Sequence, residues 1–239
     1  MKSFVRSLVT GGWFVVVRFV GRLFGTPLIG ATFARLSLGA ALTPLAGFYG
    51  GTLGALSAGC MTLMVATLFH GSLSLASLVL YVPGVIGGLF FALPSGSSPL
   101  GTLASTGALK SVLWSKALLL RMAQPLFFVG AMVLFWVHPV GQQACLYPLL
   151  WVLPCVLVFR DRQSLFARAL ISSFAVHAVG ACWWLYTMPM APAMWHGMMP
   201  LVVVERVVQA LLMVVVVKVV EKITSLASAR RVVSHCALQ

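Results

Sequence analysis

The chain has 239 residues, of which 61% are hydrophobic and 8% are charged, and its formal net charge is +13. Three uncharged runs each exceed the roughly 20 residues that cross a bilayer as a helix; they are residues 36–109, 122–159 and 169–204. This composition predicts an all-α, polytopic helical membrane protein. It excludes a soluble domain, which would need a longer polar stretch than the chain contains.

In a soluble protein this positive charge would suggest nucleic acid, but here the basic residues lie between and beside the predicted spans. Lys and Arg in such positions set topology, because they remain on the cytoplasmic side, where the lipid is anionic. We therefore expect membrane lipid as a partner and no nucleic acid. The expected location is integral to the cytoplasmic membrane, that is, an inner or plasma membrane.

Residues 1–44 mix apolar and basic positions. The apolar stretch 7–17 is shorter than a span, Arg18 and Arg22 follow it, and no convincing small-residue cleavage site is present, so a signal peptide is not predicted. We expect an uncleaved interfacial or broken helix. The alternative is a first spanning helix that holds Arg18 near one end.

Basic residues divide the rest of the chain into three hairpins. Arg35 and Lys110 flank an uncharged stretch and are both expected in the cytoplasm, so an even number of crossings lies between them. The six predicted spans are residues 45–69, 73–92, 112–137, 144–159, 166–186 and 200–219. A basic tail at 223–239 follows, and both termini are cytoplasmic. The count becomes seven or eight if the N-terminal segment inserts.

Small residues recur in the first hairpin at a spacing that places them on one face of a helix. Such G-x-x-x-G faces let helix backbones approach closely in a membrane. The alternative explanation is that glycine is simply common in membrane helices. The predicted helix-packing glycines are Gly47, Gly50, Gly51, Gly54, Gly84 and Gly88.

Glu205 is the one acidic residue predicted to lie inside the membrane, about five residues and therefore about 7 to 8 Å into the last span. Gln209 shares its helix face, and Ser173 and His177 share a face of the preceding span. An ionisable residue in this setting marks a polar site by default, so these four residues are predicted to bind a solute. The alternative is an ion pair of Glu205 with Arg206, or with an arginine of another helix, that only fixes packing.

Aromatic residues gather at the predicted outer boundary of the last hairpin. They include Trp183 and Trp184, with Tyr186 and Trp195 nearby. A membrane-interface belt explains them. The alternative is that Trp183 and Trp184 stack a flat ring at the mouth of a solute pocket.

The loop before the last span carries Met188, Met190 and His196, and thioether and imidazole groups together suit cuprous copper. Methionine is also an adaptable apolar filler, and no anionic ligand accompanies these residues. We therefore predict neither a metal nor another cofactor. The C-terminal Cys236 begins a formal C-a-a-X prenylation pattern, which a protein that already spans the bilayer does not need.

Catalysis is not predicted. The sequence contains no Walker, G-x-S-x-G, H-E-x-x-H or G-x-G-x-x-G motif. Asp161 and Glu221 lie near cytoplasmic ends, which leaves Glu205 without a second carboxylate for acid and base chemistry. An enzyme is therefore not expected.

The six-span plan, the phrase LTPLAGFYGGTLGALSAG and the ending WHGMMPLVVVERVVQALLMVVVVKVVEK resemble the substrate-binding S component of energy-coupling-factor vitamin transporters. The resemblance covers residues 30–222. It implies a vitamin-like solute bound near the outer face, and a partner assembly of a transmembrane coupling protein and two ATPases. The family's A-x-x-x-A contact motif has no counterpart, since Arg35 follows Ala31 and Leu45 follows Ala41 at that spacing.

Two functions follow from these observations. The first is an integral membrane component of a transporter that binds a small, vitamin-like solute, with energy supplied by partner ATPases. The second is a structural or assembly membrane protein that carries no solute.

Overall fold

A computed structural model describes the backbone of residues 9–17, 26–27, 35–36, 41–70, 75–93, 107–160 and 164–236, and the side chains of 9–17, 41–68, 81–93, 122–160 and 164–227. Residues 9–17 are helical. The remaining helices of the described part are α1 (Leu45–His70), α2 (Leu75–Ala92), α3 (Gly107–Val137), α4 (Pro139–Gln143), α5 (Val152–Arg160), α6 (Leu165–Thr187) and α7 (Pro192–Cys236).

Two exceptions to α-helix occur in the described part. A 3-10 helix at Tyr147–Trp151 leads directly into α5. The two-residue strands β1 (Thr26–Pro27) and β2 (Arg35–Leu36) pair antiparallel. The rest of the described structure is helical or connects helices, as the composition predicts.

Three of the described helical stretches are long and apolar enough to cross a membrane, namely Leu45–Leu68, Leu165–Thr187 and Pro192–Ala227. Shorter apolar helical stretches occur at Tyr81–Ala92, Met122–Val137 and Tyr147–Arg160. The prediction of a helical chain with membrane-length apolar helices is confirmed. The count of six spans and the cytoplasmic termini stay predictions.

Helix α6 lies at the centre of the described bundle, where it contacts α2, α3, α5 and α7. It is buried on every side between Ala169 and Ala175, a stretch in which small Ala and Ser side chains allow neighbours to approach. The hydroxyl of Ser172 donates to the carbonyl of Gly87 in α2 at 2.7 Å, so the two helices are joined at their closest approach. At its start, the Ser164 hydroxyl accepts from the Ala167 amide, which caps the helix.

Helices α1 and α2 pack against each other over an extensive contact. Gly47 lies against the backbone of Gly88, and a Cβ on Gly47 would overlap the Gly88 carbonyl. A Cβ on Gly88 would in turn come within 2.9 Å of the Ala55 Cβ. Because glycine has no side chain, the backbones of the two helices can come into direct contact here.

The other predicted packing glycines have different surroundings. Gly51 has φ 64° and ψ −161°, and α1 is kinked there. No atom lies within 4 Å of the position of its Cβ, so Gly51 bends the helix instead of packing against a neighbour. A Cβ on Gly54 would meet the carbonyl of Ala46, on the far side of this kink. Gly84 is buried and Gly50 is half-buried.

The last hairpin differs from the sequence prediction at the start of α7. Residues 192–199 were predicted to lie in a loop, but α7 begins at Pro192 and leaves only Met188 to Ala191 as the connection. Proline suits the first helical position, because its missing amide has no helical partner there. Pro200 consequently lies inside α7, and the predicted tail is helical as far as Cys236.

The second hairpin also differs in detail. The predicted outer turn at 138–143 contains the short helix α4. The returning arm consists of a 3-10 helix and α5, which together rise about 24 Å, less than the ~30 Å of a hydrocarbon core. The Pro-, Ser- and Gly-rich stretch 94–107 is predicted to be a loop; all of it except Gly107, which begins α3, lies outside the described residues, as does most of the N-terminal segment.

Candidate functional site

A buried ion pair lies within α7 and is bonded to α6. Arg206 is 5% exposed, and its Nη2 lies 2.6 Å from the Oε1 of Glu205. Its Nη1 donates to the backbone carbonyl of Ser173 at 3.3 Å. The guanidinium is therefore neutralised within its own helix and also bound to the neighbouring one.

Two amide and hydroxyl contacts extend this ion pair. Gln209 donates from its Nε2 to the Oε1 of Glu205 at 3.1 Å. The Gln209 Oε1 accepts from the Ser173 hydroxyl at 3.0 Å. Three of the residues predicted to bind a solute, Glu205, Gln209 and Ser173, thus lie in one network with Arg206. We call these four residues the ion-pair network.

His177, the fourth predicted residue, has a different hydrogen-bond partner. Its Nε2 lies 3.0 Å from the hydroxyl of Tyr147 in the 3-10 helix, and the tautomer of the imidazole decides which group donates. Tyr147 was not predicted from the sequence, because no local pattern connects it with a histidine 30 residues away.

An aromatic cluster surrounds this hydrogen bond. The rings of Phe135 and Tyr147 stack with centroids 5.3 Å apart, and Trp195 lies 5.1 Å from the first ring and 4.9 Å from the second. Trp151 completes the cluster at 5.8 Å from Phe135. Trp195 was predicted at a membrane-interface belt, but only 2% of it is exposed, because α7 already begins at Pro192 and carries it inward.

The ion-pair network lies level with the middle of α6. The bond between Ser173 and Gln209 sets the antiparallel register of α6 and α7, and Ser173 is nine residues into the 23-residue α6. Glu205 is one helical turn before Gln209 and is therefore level with the middle of α6, while its depth in a membrane stays a prediction. A charged pair near the midpoint of a spanning helix is costly unless its groups are bound to one another, as they are here.

An open groove of about 650 Å³ separates α3 from α6 on the surface of the bundle. We call it the α3–α6 groove. Its volume lies within the range of small-molecule sites. Trp183 lines it, whereas the adjacent Trp184 points elsewhere and is exposed. The other lining residues are Phe127, Gly130, Ala131, Leu134, Ala178, Val179, Cys182 and Tyr186.

Two polar side-chain groups in the lining of the α3–α6 groove are already engaged. The Tyr186 hydroxyl donates to the carbonyl of Leu134 at 2.9 Å, and the Cys182 thiol donates to that of Ala131 at 3.6 Å. The ring of His138 packs edge-on against Tyr186 at 4.9 Å. These contacts join α3 and α6 at the outer end of the groove and leave its surface almost wholly hydrocarbon.

A second basic side chain was not predicted as a site and binds α6 to α2. Arg168 donates from its Nη2 to the carbonyl of Phe91 at 2.7 Å. Its guanidinium also lies 5.6 Å from the ring of Phe48 and 5.5 Å from that of Phe91. Phe91 is in the last turn of α2, where carbonyls lack helical partners, so Arg168 caps that helix.

The remaining candidates are not brought together into a described site. Met188 is exposed, Met190 is half-buried, and the Nε2 of His196 is buried without a partner among the described residues. No group of three His, Cys, Asp or Glu residues able to hold a metal occurs in the part of the chain that the structure describes. The side chain of Cys236 lies outside the described residues.

No protein-family model matches the chain, and neither curated proteins nor solved structures provide a match. The resemblance to energy-coupling-factor S components therefore stays an expectation from the sequence. The functional argument depends on the geometry of the ion-pair network and of the α3–α6 groove.

Proposed function

We propose that the protein is an integral membrane component of a transporter that binds a small molecule in the α3–α6 groove. The observation that carries this proposal is the open cavity of about 650 Å³, because its size matches known small-molecule sites and one of its walls is the central helix of the bundle. The ion-pair network holds α6 against α7 and so keeps that wall in place.

The proposed topology has six spans with both termini in the cytoplasm. The register set by Ser173 and Gln209 supports it, because it brings Lys218 in α7 level with the start of α6, near Arg168. Basic residues at one end favour a cytoplasmic position for that end. Partner ATPases and a coupling protein, in an inner or plasma membrane, belong to the same proposal.

The experiment is purification of the tagged full-length protein in mild detergent, followed by mass spectrometry of retained small molecules and co-purifying proteins. Gly130→Phe is the informative variant, since Gly130 lines the groove and no atom lies within 4 Å of its Cβ position. Gly180→Phe is the matched control, because Gly180 in α6 has equally free space but does not line the groove.

A molecule retained by the wild type and by Gly180→Phe, and lost from Gly130→Phe, supports solute binding in the groove. Recovery of ATPases alongside it supports the transporter assignment. If all three proteins retain the same molecules in the same amounts, the groove is not the site and the proposal fails.

A second candidate is a structural or assembly protein without a solute, and the self-contained ion-pair network favours it. Glu205 is bonded to both Arg206 and Gln209 without any ligand, and Arg206 Nε is the one buried polar side-chain atom of the three residues that has no partner among the described residues. In that case Glu205→Gln should reduce stability and the recovery of partner proteins, while no small molecule is retained by any variant.

A further inference from the structure

We propose that the molecule in the α3–α6 groove is the acyl chain of a membrane lipid. This proposal names the chemical class of the solute. It rests on the proposed function in one respect, namely that the groove is the binding site. A vitamin-like solute, which the sequence resemblance implied, needs polar partners, and the lining of this groove has almost none to offer.

The chemistry of the lining carries the argument. The Tyr186 hydroxyl and the Cys182 thiol are turned to backbone carbonyls, and hydrocarbon side chains and small residues form most of the remaining surface. A polar ligand would lose its hydrogen bonds to water or headgroups on entry and regain few of them, which costs about 1–3 kcal/mol for each unpaired group. A hydrocarbon chain incurs no such cost.

The mouth of the groove opens onto a surface of exposed apolar side chains. Leu126, Val129 and Val133 on α3 are all exposed and border the lining residues in sequence. On a helix within a bilayer, such a face contacts lipid tails. A chain that already lies in the bilayer can therefore enter sideways, without crossing water.

The groove is short and closed at one end. From Phe127 to Leu134 it extends about 10 Å along α3, and the contact of Tyr186 with Leu134 and His138 closes the end near His138. Part of one acyl chain could lie along this length.

The small residues on the floor of the groove create its depth. Gly130 and Ala131 on α3 face Ala178 on α6, and no larger side chain fills the space that they leave. Because lipid tails and protein side chains are equally apolar, binding depends on close packing of the chain against this floor.

The test uses the full-length protein in vesicles of phosphatidylcholine that include a small fraction of phosphatidylcholine with a diazirine in one acyl chain. After illumination, mass spectrometry locates the cross-linked residues. In the wild type we expect cross-links concentrated at 127–134 and 178–186. In Gly130→Phe the yield there should fall about tenfold, which corresponds to about 1.4 kcal/mol, while Gly180→Phe should keep it.

Cross-links spread evenly over the exposed surfaces of α3 and α7, with no change in Gly130→Phe, would mean ordinary surrounding lipid and would overturn the proposal. Dimers joined through the groove residues would overturn it as well. Thermal unfolding of each variant in detergent checks that the substitution has not simply unfolded the chain. A second variant, Gly130→Leu, fills the groove only partway. If it is folded, its cross-linking yield should lie between those of the wild type and Gly130→Phe.

The two proposals can fail separately. If a polar molecule is retained at the groove in detergent and no acyl cross-link forms there, solute binding stands and the lipid assignment is wrong. If the acyl cross-links form as expected but no transport partner is recovered, the lipid site stands and the transporter assignment is wrong.

Discussion

Removal of the negative charge from Glu205 should show how much the ion-pair network contributes to the stability of the protein. Glu205→Gln keeps the size of the side chain and an oxygen that can accept from Gln209, but it leaves Arg206 charged, 5% exposed and without its carboxylate. Removing one partner of a buried ion pair costs about 3–5 kcal/mol. Because the side chain of Glu205 is itself 19% exposed, we expect a loss of unfolding free energy at the lower end of this range, about 3 kcal/mol.

An independent estimate agrees with this magnitude. Placing an uncompensated Arg at the centre of a spanning helix costs about 2.5–3.5 kcal/mol on insertion scales. The network lies level with the middle of α6, so this scale applies to Arg206. Both routes therefore give a loss of about 3 kcal/mol in the free energy of unfolding.

The measurement is unfolding of the purified protein in detergent micelles by titration with sodium dodecyl sulfate. Tryptophan fluorescence reports it, since Trp151 and Trp195 are buried in the aromatic cluster of the bundle. The double variant Glu205→Gln with Arg206→Met removes both charges. It should lower the free energy of unfolding by only about 1 kcal/mol, because only the bond from Arg206 to Ser173 is then lost.

Glu221→Gln is the matched control. Glu221 pairs with Lys218 at 2.9 Å on the same helix, but the two side chains are 53% and 65% exposed, so the change should cost at most about 1 kcal/mol. The reasoning is refuted if Glu205→Gln costs no more than this control. It is also refuted if the double variant loses the sum of what the two single variants lose.

Three further substitutions test the contacts that hold the bundle together, each measured by the same unfolding titration. Gly47→Ala forces a methyl group against the Gly88 carbonyl and should lower the free energy of unfolding by about 1–3 kcal/mol. The control Gly180→Ala meets open space and should change it little, so equal effects of the two substitutions would contradict the close contact. Arg168→Lys loses the planar contact of the guanidinium with two rings and should lower the free energy of unfolding by about 1 kcal/mol. An unchanged midpoint of the unfolding titration would show that stability does not depend on the guanidinium. Tyr147→Phe leaves its histidine partner unbonded and should lower the free energy of unfolding by about 1–3 kcal/mol, and no loss would contradict a contribution of this hydrogen bond to stability.

The helical membrane class could be predicted because it depends on local composition. Hydrocarbon removes water from the backbone, so an apolar stretch of sufficient length must satisfy its own hydrogen bonds as a helix. This reasoning found the helices that became α1, α6 and the apolar part of α7. It failed at the start of α7, where residues without charge were read as a loop although nothing in Pro192 to Met199 prevents a helix.

The candidate site was predicted in part for a similar reason. Glu205 is recognisable because a carboxylate among apolar neighbours is rare, and Gln209 and Ser173 follow from helical spacing. The sequence left open whether Glu205 would bind a solute or pair with Arg206. The structure contains the ion pair, which depends on the side-chain rotamers of both residues and on the proximity of α6.

Thus the sequence by itself determined that the chain is helical and apolar enough to cross a membrane, and which rare polar residues must find partners there. Only the tertiary structure decided that His177 bonds to Tyr147, that Gly51 bends α1, and that α3 and α6 leave an apolar groove between them. The physical reason is the range of the interactions. Hydropathy acts residue by residue along the chain, whereas partners and cavities depend on how helices distant in sequence pack against each other.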